Sequence, residues 1–252
     1  MQSSSICMNN LLFLPCLGLL LLLVACESPT STVTEKGVDS IAVSTNTPID
    51  SKSEPITTIQ QELDQFEAKR GNKNRTIWQR PKMIIQQLGD LSDKVVADIG
   101  AGPYGYFSFQ VAQNAKKVIA IDIDKKSLAF IDSMRLEILS PEKEQAIETR
   151  LAKFDNPNLQ TQEVDVVILM NIYAYLTDHL AYLKNIKKGM KPNSQILIID
   201  FKMRHLPIGP PQKEKIPLYI VERELVQAGF ILNLVDDRTL DYQYMILATK
   251  EG

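Results

Sequence analysis

The chain has few of the side chains that most often act as nucleophiles or metal ligands. Its 252 residues include only three cysteines and two histidines. The cysteines all lie near the N-terminus, at Cys7, Cys16 and Cys26. The rest of the chain can therefore have no cysteine nucleophile, no thiolate metal site and no disulfide. His179 and His205 fall at a predicted helix start and in a predicted loop, which favours a surface or capping role, and we predict no metal site.

An excess of charge of one sign is also absent. The formal net charge is -2, from 28 basic and 30 acidic residues. Proteins that bind nucleic acid usually have a basic surface, so nucleic acid is not an expected partner. A chain of this length can bury one sizeable core, and we expect one domain with an N-terminal tail.

A long hydrophobic run occurs only near the N-terminus. The run from Leu11 to Ala25 is too short to cross a hydrocarbon core of roughly 30 Å comfortably, but its length is typical of a signal peptide. It ends in Leu23-Val24-Ala25-Cys26, which resembles the lipobox of bacterial lipoproteins. The resemblance implies cleavage before Cys26 and acylation of its thiol. No Lys or Arg precedes the run, so an uncleaved anchor or a buried helix remains an alternative.

The residues around Cys26 also predict where the domain is held. Glu27 follows the cysteine, and by the resemblance to lipoproteins the lack of an aspartate there favours the outer membrane, facing the periplasm, in a host with two membranes. The next residues are rich in Ser, Thr, Pro and Asp and cannot bury enough apolar surface to offset the entropy of ordering. We therefore expect a lipoprotein signal peptide at 1–25, a flexible tether at 26–55 and a folded domain at 56–252, attached to the membrane through lipidated Cys26.

Hydrophobic periodicity in the folded domain alternates between helix and strand. A helical pattern opens at about Thr58, and a second helix is predicted from Arg80 to Leu88. Short apolar runs typical of strands buried in a parallel sheet then alternate with helical stretches. The strands are Val95–Ile99, Val118–Ile121, Val164–Met170 and Gln195–Ile199, and the helices are Lys125–Leu139, His179–Gly189 and Pro217–Ala228. This alternation predicts a doubly wound α/β domain, and the last two strands, Ile231–Val235 and Tyr242–Thr249, predict a terminal hairpin and a mixed sheet.

Glycines cluster directly after the first predicted strand. Gly100, Gly102 and Gly105 let the backbone turn tightly and approach a ligand without a Cβ in the way, just before a helix N-terminus. Asp122 closes the second strand, about 20 residues further on, where a carboxylate can accept hydrogen bonds from both hydroxyls of a ribose. This order of strand, loop, helix and acid predicts a site for an adenosine-type ligand. The alternative is a simple tight turn with a solvated Asp122.

Two kinds of adenosine-containing cofactor bind this architecture. Asp98 precedes the first glycine by two residues, and Asp-x-Gly-x-Gly after a strand resembles motif I of class I methyltransferases more than a dehydrogenase fingerprint. The terminal hairpin agrees, because that family inserts its last strand antiparallel into the sheet. The Tyr-x-x-x-Lys pair of short-chain dehydrogenases does not occur in the sequence. S-adenosylmethionine is therefore favoured over a nicotinamide cofactor.

A closer resemblance extends over roughly Arg75 to Lys250. The segments that carry it are Trp78–Pro81, Ala97–Phe109, Phe154–Leu159, Asp200–Lys202, Gly209–Pro211 and Asp241–Tyr244. They resemble the UbiE/methyltransferase type 11 kind of class I methyltransferase, which implies a Rossmann-like, seven-stranded mixed sheet. The cofactor-binding residues implied by this resemblance are Asp98, Gly100 and Gly102 beside the methionine part, Gly105 in the same loop, Asp122 at the ribose, Asp155 at the adenine amino group, and Asn171 where methionine and substrate meet.

The sequence departs from the family pattern at two places. The family loop usually runs Gly-x-Gly-Thr-Gly-Tyr-Phe, whereas Gly102–Gly105 has one extra residue, and Pro103 offers no backbone N–H. The family also commonly has paired histidines after a Tyr beyond the fourth strand, but Ala and Tyr follow Tyr173 here. Any role of those histidines as a base or metal ligand is therefore missing from this chain.

The expected chemistry follows from the cofactor. A sulfonium already activates its methyl group, so the protein mainly aligns an acceptor and excludes water. We predict an S-adenosylmethionine-dependent methyltransferase that acts on a small molecule, with Tyr173, Asp200 and Lys202 in contact with the acceptor. Trp78 is interpreted as a packing anchor rather than a substrate platform, and the loop Arg204–Lys215 is a candidate substrate lid.

The predicted cofactor and the predicted location conflict. The cofactor is made in the cytosol, whereas a lipoprotein domain faces the periplasm or the exterior. Three interpretations follow: an enzyme with a cofactor source outside the cytosol, a degenerate methyltransferase fold that binds another nucleoside-like ligand without catalysis, and a structural lipoprotein. Binding of S-adenosylmethionine would distinguish the first from the other two.

Overall fold

The structure is a computed structural model that describes residue 61 and residues 74–252. The predicted signal peptide, Cys26, the tether and most of the helical pattern that opens at Thr58 lie outside the described residues. Within the described part, no helix is both long enough and apolar enough to cross a membrane.

A seven-stranded sheet forms the centre of the described domain. Its strands are β1 (Val95–Ile99), β2 (Lys117–Asp122), β3 (Ile147–Leu151), β4 (Val164–Met170), β5 (Met190–Phe201), β6 (Phe230–Asp236) and β7 (Gln243–Lys250). Their order across the sheet is β3-β2-β1-β4-β5-β7-β6. The first five strands in this order, β3, β2, β1, β4 and β5, are parallel, whereas β7 runs antiparallel to both β5 and β6. The predicted α/β, Rossmann-like mixed sheet with a terminal antiparallel hairpin is confirmed.

Helices cover both faces of the sheet. They are α1 (Arg75–Gln79), α2 (Pro81–Gln86), α3 (Tyr106–Ala112), α4 (Lys125–Ile138), α5 (His179–Gly189) and α6 (Leu218–Gln227). Successive side chains of β4 alternate between two buried clusters, with Val166 and Ile168 facing α2, α3 and α4, and Val167 and Leu169 facing α5 and α6. A strand buried on both faces must be apolar throughout, which explains its continuous hydrophobic run.

Two of these helices begin at aspartates that follow strands or loops at the carboxyl end of the sheet. Asp124 accepts hydrogen bonds from the backbone N–H groups of Lys126 and Ser127 at the start of α4. Asp178 accepts one from the N–H of Ala181, at 3.0 Å, at the start of α5. A side-chain cap of this kind satisfies N–H groups that have no partner inside the helix. These caps fix where the crossover helices start and therefore where the loops before them end.

The apolar pattern did not indicate β3. Its sequence, Ile-Glu-Thr-Arg-Leu, is polar because the strand lies at the edge of the sheet, next to β2 alone. Arg150 forms ion pairs there with Glu148 at 2.5 Å and with Glu163 at 2.6 Å. An edge strand need not be apolar on both faces, so its sequence lacks the continuous run that predicted the central strands.

The predicted helix from Arg80 to Leu88 corresponds to α2, and the short helix α1, which the sequence pattern did not indicate, precedes it. Arg80 lies between them with φ 52°, in the left-handed region. Pro81 is the first residue of α2. A proline lacks the N–H that a continuing helix needs and disfavours helical backbone in the residue before it, which explains the break.

Candidate functional site

The glycine loop between β1 and α3 is held against the end of β2. The N–H groups of Gly100 and Ala101 both donate to the carbonyl oxygen of Ile121, at 2.8 and 3.0 Å. Gly100, Gly102 and Gly105 have φ values of 76°, 72° and 58°. This left-handed conformation favours glycine, because it has no Cβ. The predicted tight turn is therefore present, and it folds back across the carboxyl ends of the strands.

Asp122 at the end of β2 is oriented by two backbone donors. The N–H of Gly102 donates to its Oδ2, and that of Asp124 donates to its Oδ1, each at 2.9 Å. An ionised carboxylate has about four acceptor sites, so both oxygens can still accept hydrogen bonds from a ligand. The loop and the acid, 20 residues apart in the chain, form one structural unit.

Asp98 is buried at the carboxyl end of β1 and is only 1% exposed. Ser108 donates to its Oδ2 at 2.6 Å. Burial raises the pKa of Asp98 to about 6, although the Ser108 hydroxyl and the charge of Arg75 favour the ionised form. A buried carboxylate that is costly to ionise in the free protein would be stabilised by a cationic ligand group.

Two cavities adjoin beside the glycine loop. The larger cavity has a volume of about 390 Å³ and the smaller one about 290 Å³. Both are lined by Gly100, Gly102, Ile172 and Tyr175. Because they share these residues, one extended ligand can occupy both. Pockets of a few hundred Å³ are typical of small-molecule and cofactor sites.

The two cavities differ in chemistry. The further lining residues that matter for the larger cavity are Arg75, Trp78, Asp98, Tyr106, Phe107, Met170, Asn171, Phe201, Gly209 and Pro210. Those of the smaller cavity are Asp122, Ile123, Lys153, Phe154 and Tyr182. Arg75 and Asp98 are the charged residues described in the lining of the larger cavity. Asp122 and Lys153 are those of the smaller cavity, which also has the exposed apolar side chains of Ile123 and Phe154.

Five of the predicted site residues therefore line this pair of cavities, and four of them are Asp98, Gly100, Gly102 and Asp122. Asn171 also lines the larger cavity. Gly105 instead has a backbone role, as the residue that precedes α3. A Cβ at this position would lie 2.9 Å from Cγ1 of Ile131.

Asp155 does not line either cavity in the described structure. Its side chain is exposed, and its carbonyl oxygen accepts a hydrogen bond from Nδ2 of Asn185, at 3.2 Å. The neighbouring Phe154 lines the smaller cavity and is 62% exposed. The contact of Asp155 with an adenine amino group remains a prediction.

The three residues predicted to contact an acceptor are not brought together in the larger cavity. The hydroxyl of Tyr173 donates to Oε2 of Glu224 at 2.7 Å, on the α6 side of the sheet. Asp200 is buried and accepts hydrogen bonds from the N–H groups of Tyr173 and Phe201, at 3.1 and 2.7 Å. Burial raises the pKa of Asp200 to about 6. The catalytic roles of these residues remain predictions.

Lys202 lies in a third cavity of about 300 Å³, with Met203, Arg204 and Tyr244. Its Nζ donates to the carbonyl oxygen of Leu240 at 2.6 Å. Burial lowers the pKa of Lys202. This amine is therefore bound to backbone oxygen and does not line the two joined cavities.

Sequence reasoning missed several lining residues. Arg75 and Phe201 were not proposed as site residues, and Trp78 was interpreted as a packing anchor. Phe154 was named only as part of the family resemblance. Ile123 has a signal in the sequence, because this apolar residue directly follows Asp122 at the end of the second predicted strand.

Comparison with known proteins connects this geometry to a family. A family described as methyltransferase domain matches residues 90–228, more than half of the 252 residues. No curated protein sequence matches the chain.

Solved structures have the same fold. A SAM-dependent methyltransferase from Aquifex aeolicus is 20% identical, with a TM-score of 0.65, over 79% of this chain and 99% of that one. One from Mesorhizobium loti is 14% identical, with a TM-score of 0.56, over 69% and 97%. The cyclase SpnF is 13% identical, with a TM-score of 0.58, over 69% and 80%. Identities this low establish the fold alone, while the family and most of these neighbours imply S-adenosylmethionine as the cofactor.

Proposed function

The chain belongs to the methyltransferase domain family, and from that premise we propose that it binds S-adenosylmethionine across the two joined cavities and methylates a small molecule. The observation that carries this proposal is the position of Asp122. Its carboxylate is fixed by the glycine loop and lines the smaller cavity, which adjoins the larger one through Gly100 and Gly102.

The smaller cavity fits the adenosine half of the cofactor. Asp122 would accept hydrogen bonds from the ribose hydroxyls. Ile123 and Phe154 are 52% and 62% exposed, and both line this cavity. Exposed apolar side chains at a pocket provide a surface for a flat base, because covering them removes apolar area from water. Adenine would therefore lie against these two side chains.

The larger cavity fits the methionine half. An amino acid carries an ammonium and a carboxylate, and the cavity offers Asp98 and Arg75 for them. Arg75 lies over the ring of Tyr106, 4.1 Å from its centre. This guanidinium would bind the cofactor carboxylate and supply the contact that Pro103 cannot make, because Pro103 has no N–H. Asp98 would bind the ammonium, which favours its ionised form.

The remaining chemistry depends on positioning. The bound cofactor supplies a methyl group already activated by the sulfonium. The chain must hold an acceptor in line with that methyl group and keep water away. Phe201, Gly209 and Pro210 line the larger cavity. They would form the wall that encloses the acceptor, with Gly209 and Pro210 contributed by the loop that was predicted to be a lid.

Replacing Asp122 with alanine tests the ribose assignment. We expect the wild-type protein to bind S-adenosylmethionine or its demethylated product with micromolar affinity, on the order of -8 kcal/mol. The variant should bind about 10- to 100-fold more weakly, because hydrogen bonds to a charged group contribute roughly 1.5–3 kcal/mol. Calorimetric titration of both proteins measures the difference.

Asp93→Ala is the matched control for this titration. Asp93 is an exposed aspartate that pairs with its neighbour Lys94, before β1 and away from the glycine loop. Its loss should leave the affinity within about twofold. An unchanged affinity in Asp122→Ala, with the fold intact by circular dichroism, would contradict the ribose assignment.

We also propose that the protein is a lipoprotein anchored through Cys26, which lies outside the described residues. The support is the lipobox-like sequence and the confinement of all cysteines to the first 26 positions. Cys26→Ser should accumulate as an unprocessed precursor without lipid, whereas Cys16→Ser should still be processed. Mass spectrometry of membrane extracts distinguishes these forms. An unmodified Cys26 in the native protein would refute the proposal.

A further inference from the structure

Trp78 carries an unused hydrogen-bond donor at the larger cavity. The side chain lines this cavity, is only 8% exposed, and packs on Phe201 with the ring centres 6.0 Å apart. Its Nε1 is buried and has no hydrogen-bond partner within the described residues. Buried polar groups nearly always have a partner in folded proteins. This indole N–H is therefore an exception that needs an explanation.

Asn171 presents a second donor, and a chain of hydrogen bonds fixes its orientation. Arg75 Nε donates to Oε1 of Gln79 at 2.6 Å, and a guanidinium can only donate. Gln79 must then direct its Nε2 to Oε1 of Gln243, at 3.2 Å. Gln243 in turn donates through Nε2 to Oδ1 of Asn171. The orientation of each amide thus follows from Arg75, where this series of hydrogen bonds begins.

The series of hydrogen bonds ends at the Nδ2 group of Asn171. It has no hydrogen-bond partner among residues 74–252, and Asn171 lines the larger cavity. The two amides between Arg75 and Asn171 belong to Gln79 and Gln243, which are both fully buried. Buried amides with satisfied hydrogen bonds hold a single arrangement. Two residues that line the cavity, Trp78 and Asn171, therefore each carry an N–H group without a partner among the described residues.

Among the residues that the structure describes, none that lines the larger cavity is suited to remove a proton from an acceptor. Its titratable lining residues are Arg75, Asp98, Tyr106 and Tyr175. Asp98 is engaged by the cofactor ammonium under the proposed function, and burial raises the pKa of Tyr175, which makes it a weaker acid. Neither histidine of the chain lines this cavity. An acceptor that is already anionic needs no base.

We propose that the methyl acceptor is a carboxylate on a flat apolar group, and that Trp78 Nε1 and Asn171 Nδ2 donate to its oxygens. This inference rests on the proposed function of the same site. The aromatic walls formed by Phe107 and Phe201 suit the apolar group. A carboxylate oxygen gives a lone pair to the methyl carbon, the carbon–sulfur bond breaks, and its electron pair remains on sulfur. The products are a methyl ester and a neutral thioether, and no proton is released.

The test uses the fact that Trp78 is the only tryptophan in the chain. A ¹H–¹⁵N spectrum of the protein therefore contains one indole N–H resonance, which reports on this donor alone. The protein, saturated with S-adenosylhomocysteine so that no turnover occurs, is titrated with trans-cinnamate and separately with methyl cinnamate. We expect cinnamate to move the indole proton downfield and to bind at least about tenfold more tightly than the ester, since charged acceptors form the stronger hydrogen bonds.

Three variants separate the donors from the packing around them. Trp78→Phe keeps an aromatic ring without the N–H, and Asn171→Asp replaces the Nδ2 donor with an oxygen. Each should weaken cinnamate binding by about tenfold or more in calorimetry. Tyr242→Phe is the control, because Tyr242 packs on Trp78 with ring centres 6.4 Å apart but does not line the cavity. It should bind cinnamate as the wild type does.

The carboxylate assignment would be overturned by cinnamate that binds without moving the indole resonance, or by donor variants that bind it as tightly as Tyr242→Phe. Failure to bind cinnamate while S-adenosylhomocysteine is bound would also overturn it. If S-adenosylhomocysteine does not bind to the wild type, the proposed function fails instead. The cinnamate titration of the unliganded protein then still tests the donor pair.

Discussion

Gly100→Ala is expected to abolish detectable binding of S-adenosylmethionine and to lower the free energy of unfolding by about 2–5 kcal/mol. A Cβ at this position would lie 2.5 Å from Cγ2 of Ile172, and the backbone has φ 76°. Ile172 belongs to the lining that the two cavities share. Either the loop or Ile172 must therefore move, and both form the walls of the site.

Gly89→Ala is the control that separates backbone strain from the steric clash. Gly89 has a similar φ of 73°, but a Cβ there would have no atom within 4 Å. It should cost only the strain of a left-handed alanine, about 1–2 kcal/mol, and leave cofactor affinity unchanged. Urea denaturation and calorimetry of both variants measure these effects. Equal behaviour of the two variants would show that the approach of the loop to Ile172 has no importance for the site.

Asp98→Asn is expected to stabilise the free protein at pH 8 while weakening cofactor binding about 10- to 100-fold. The pKa of Asp98 is raised from 3.8 to about 6 by burial, so ionising it in the folded protein is unfavourable. The raised pKa stabilises the folded protein fully below pH 3.8, where Asp98 is protonated in both states, and this stabilisation is lost as the pH rises through about 6. At pH 8 this cost is on the order of 3 kcal/mol, which asparagine avoids while still accepting from Ser108.

The measurement is urea denaturation of wild type and Asp98→Asn without cofactor at pH 5 and pH 8. The variant should gain more stability over the wild type at pH 8 than at pH 5. Cofactor affinity of the wild type should rise with pH through about 6, because the ionised form binds the ammonium. Asp93→Asn, at an exposed position, is the control for both experiments. A variant that is less stable than wild type at pH 8 would contradict the role assigned to burial.

The central part of the fold could be predicted because strands buried on both faces leave a continuous apolar run. This held for β1, β2, β4 and the apolar half of β5, and the terminal hairpin was recognised from its two adjacent runs. The prediction failed at β3, where the strand is at the edge and its polar side chains form ion pairs. It also missed the short helix α1, which ends at Gln79, just before the left-handed Arg80 and Pro81.

In the candidate site, too, residues that follow a local sequence pattern could be predicted, and residues placed by tertiary packing could not. Asp98, the glycines and Asp122 follow strand ends in a fixed order, so local pattern was sufficient. Phe201 was missed and Asp200 was proposed, although neighbouring residues of a strand face opposite sides of the sheet. Phe201 lines the larger cavity, whereas the Asp200 carboxylate accepts from backbone N–H groups instead. The loop after β5 packs closely on Phe201, since a Cβ on Gly209 would lie 2.6 Å from its Cε1.

Residues outside the glycine loop could not be assigned from pattern alone because tertiary structure brings them to the site. Arg75 and Trp78 come from α1, before the family match begins at residue 90. The hydrogen-bond chain to Asn171 joins Gln79 to Gln243, which are 164 residues apart in sequence. No local periodicity indicates a contact over that separation.

The central claim is tested most directly by a crystal structure of the protein grown with S-adenosylhomocysteine. We expect ribose hydroxyls within hydrogen-bond distance of the Asp122 carboxylate, adenine against Ile123 and Phe154, and the amino acid part between Asp98 and Arg75. Density for the ligand in the cavity beside Lys202, or a folded protein with no ligand at the glycine loop at millimolar concentration, would contradict it.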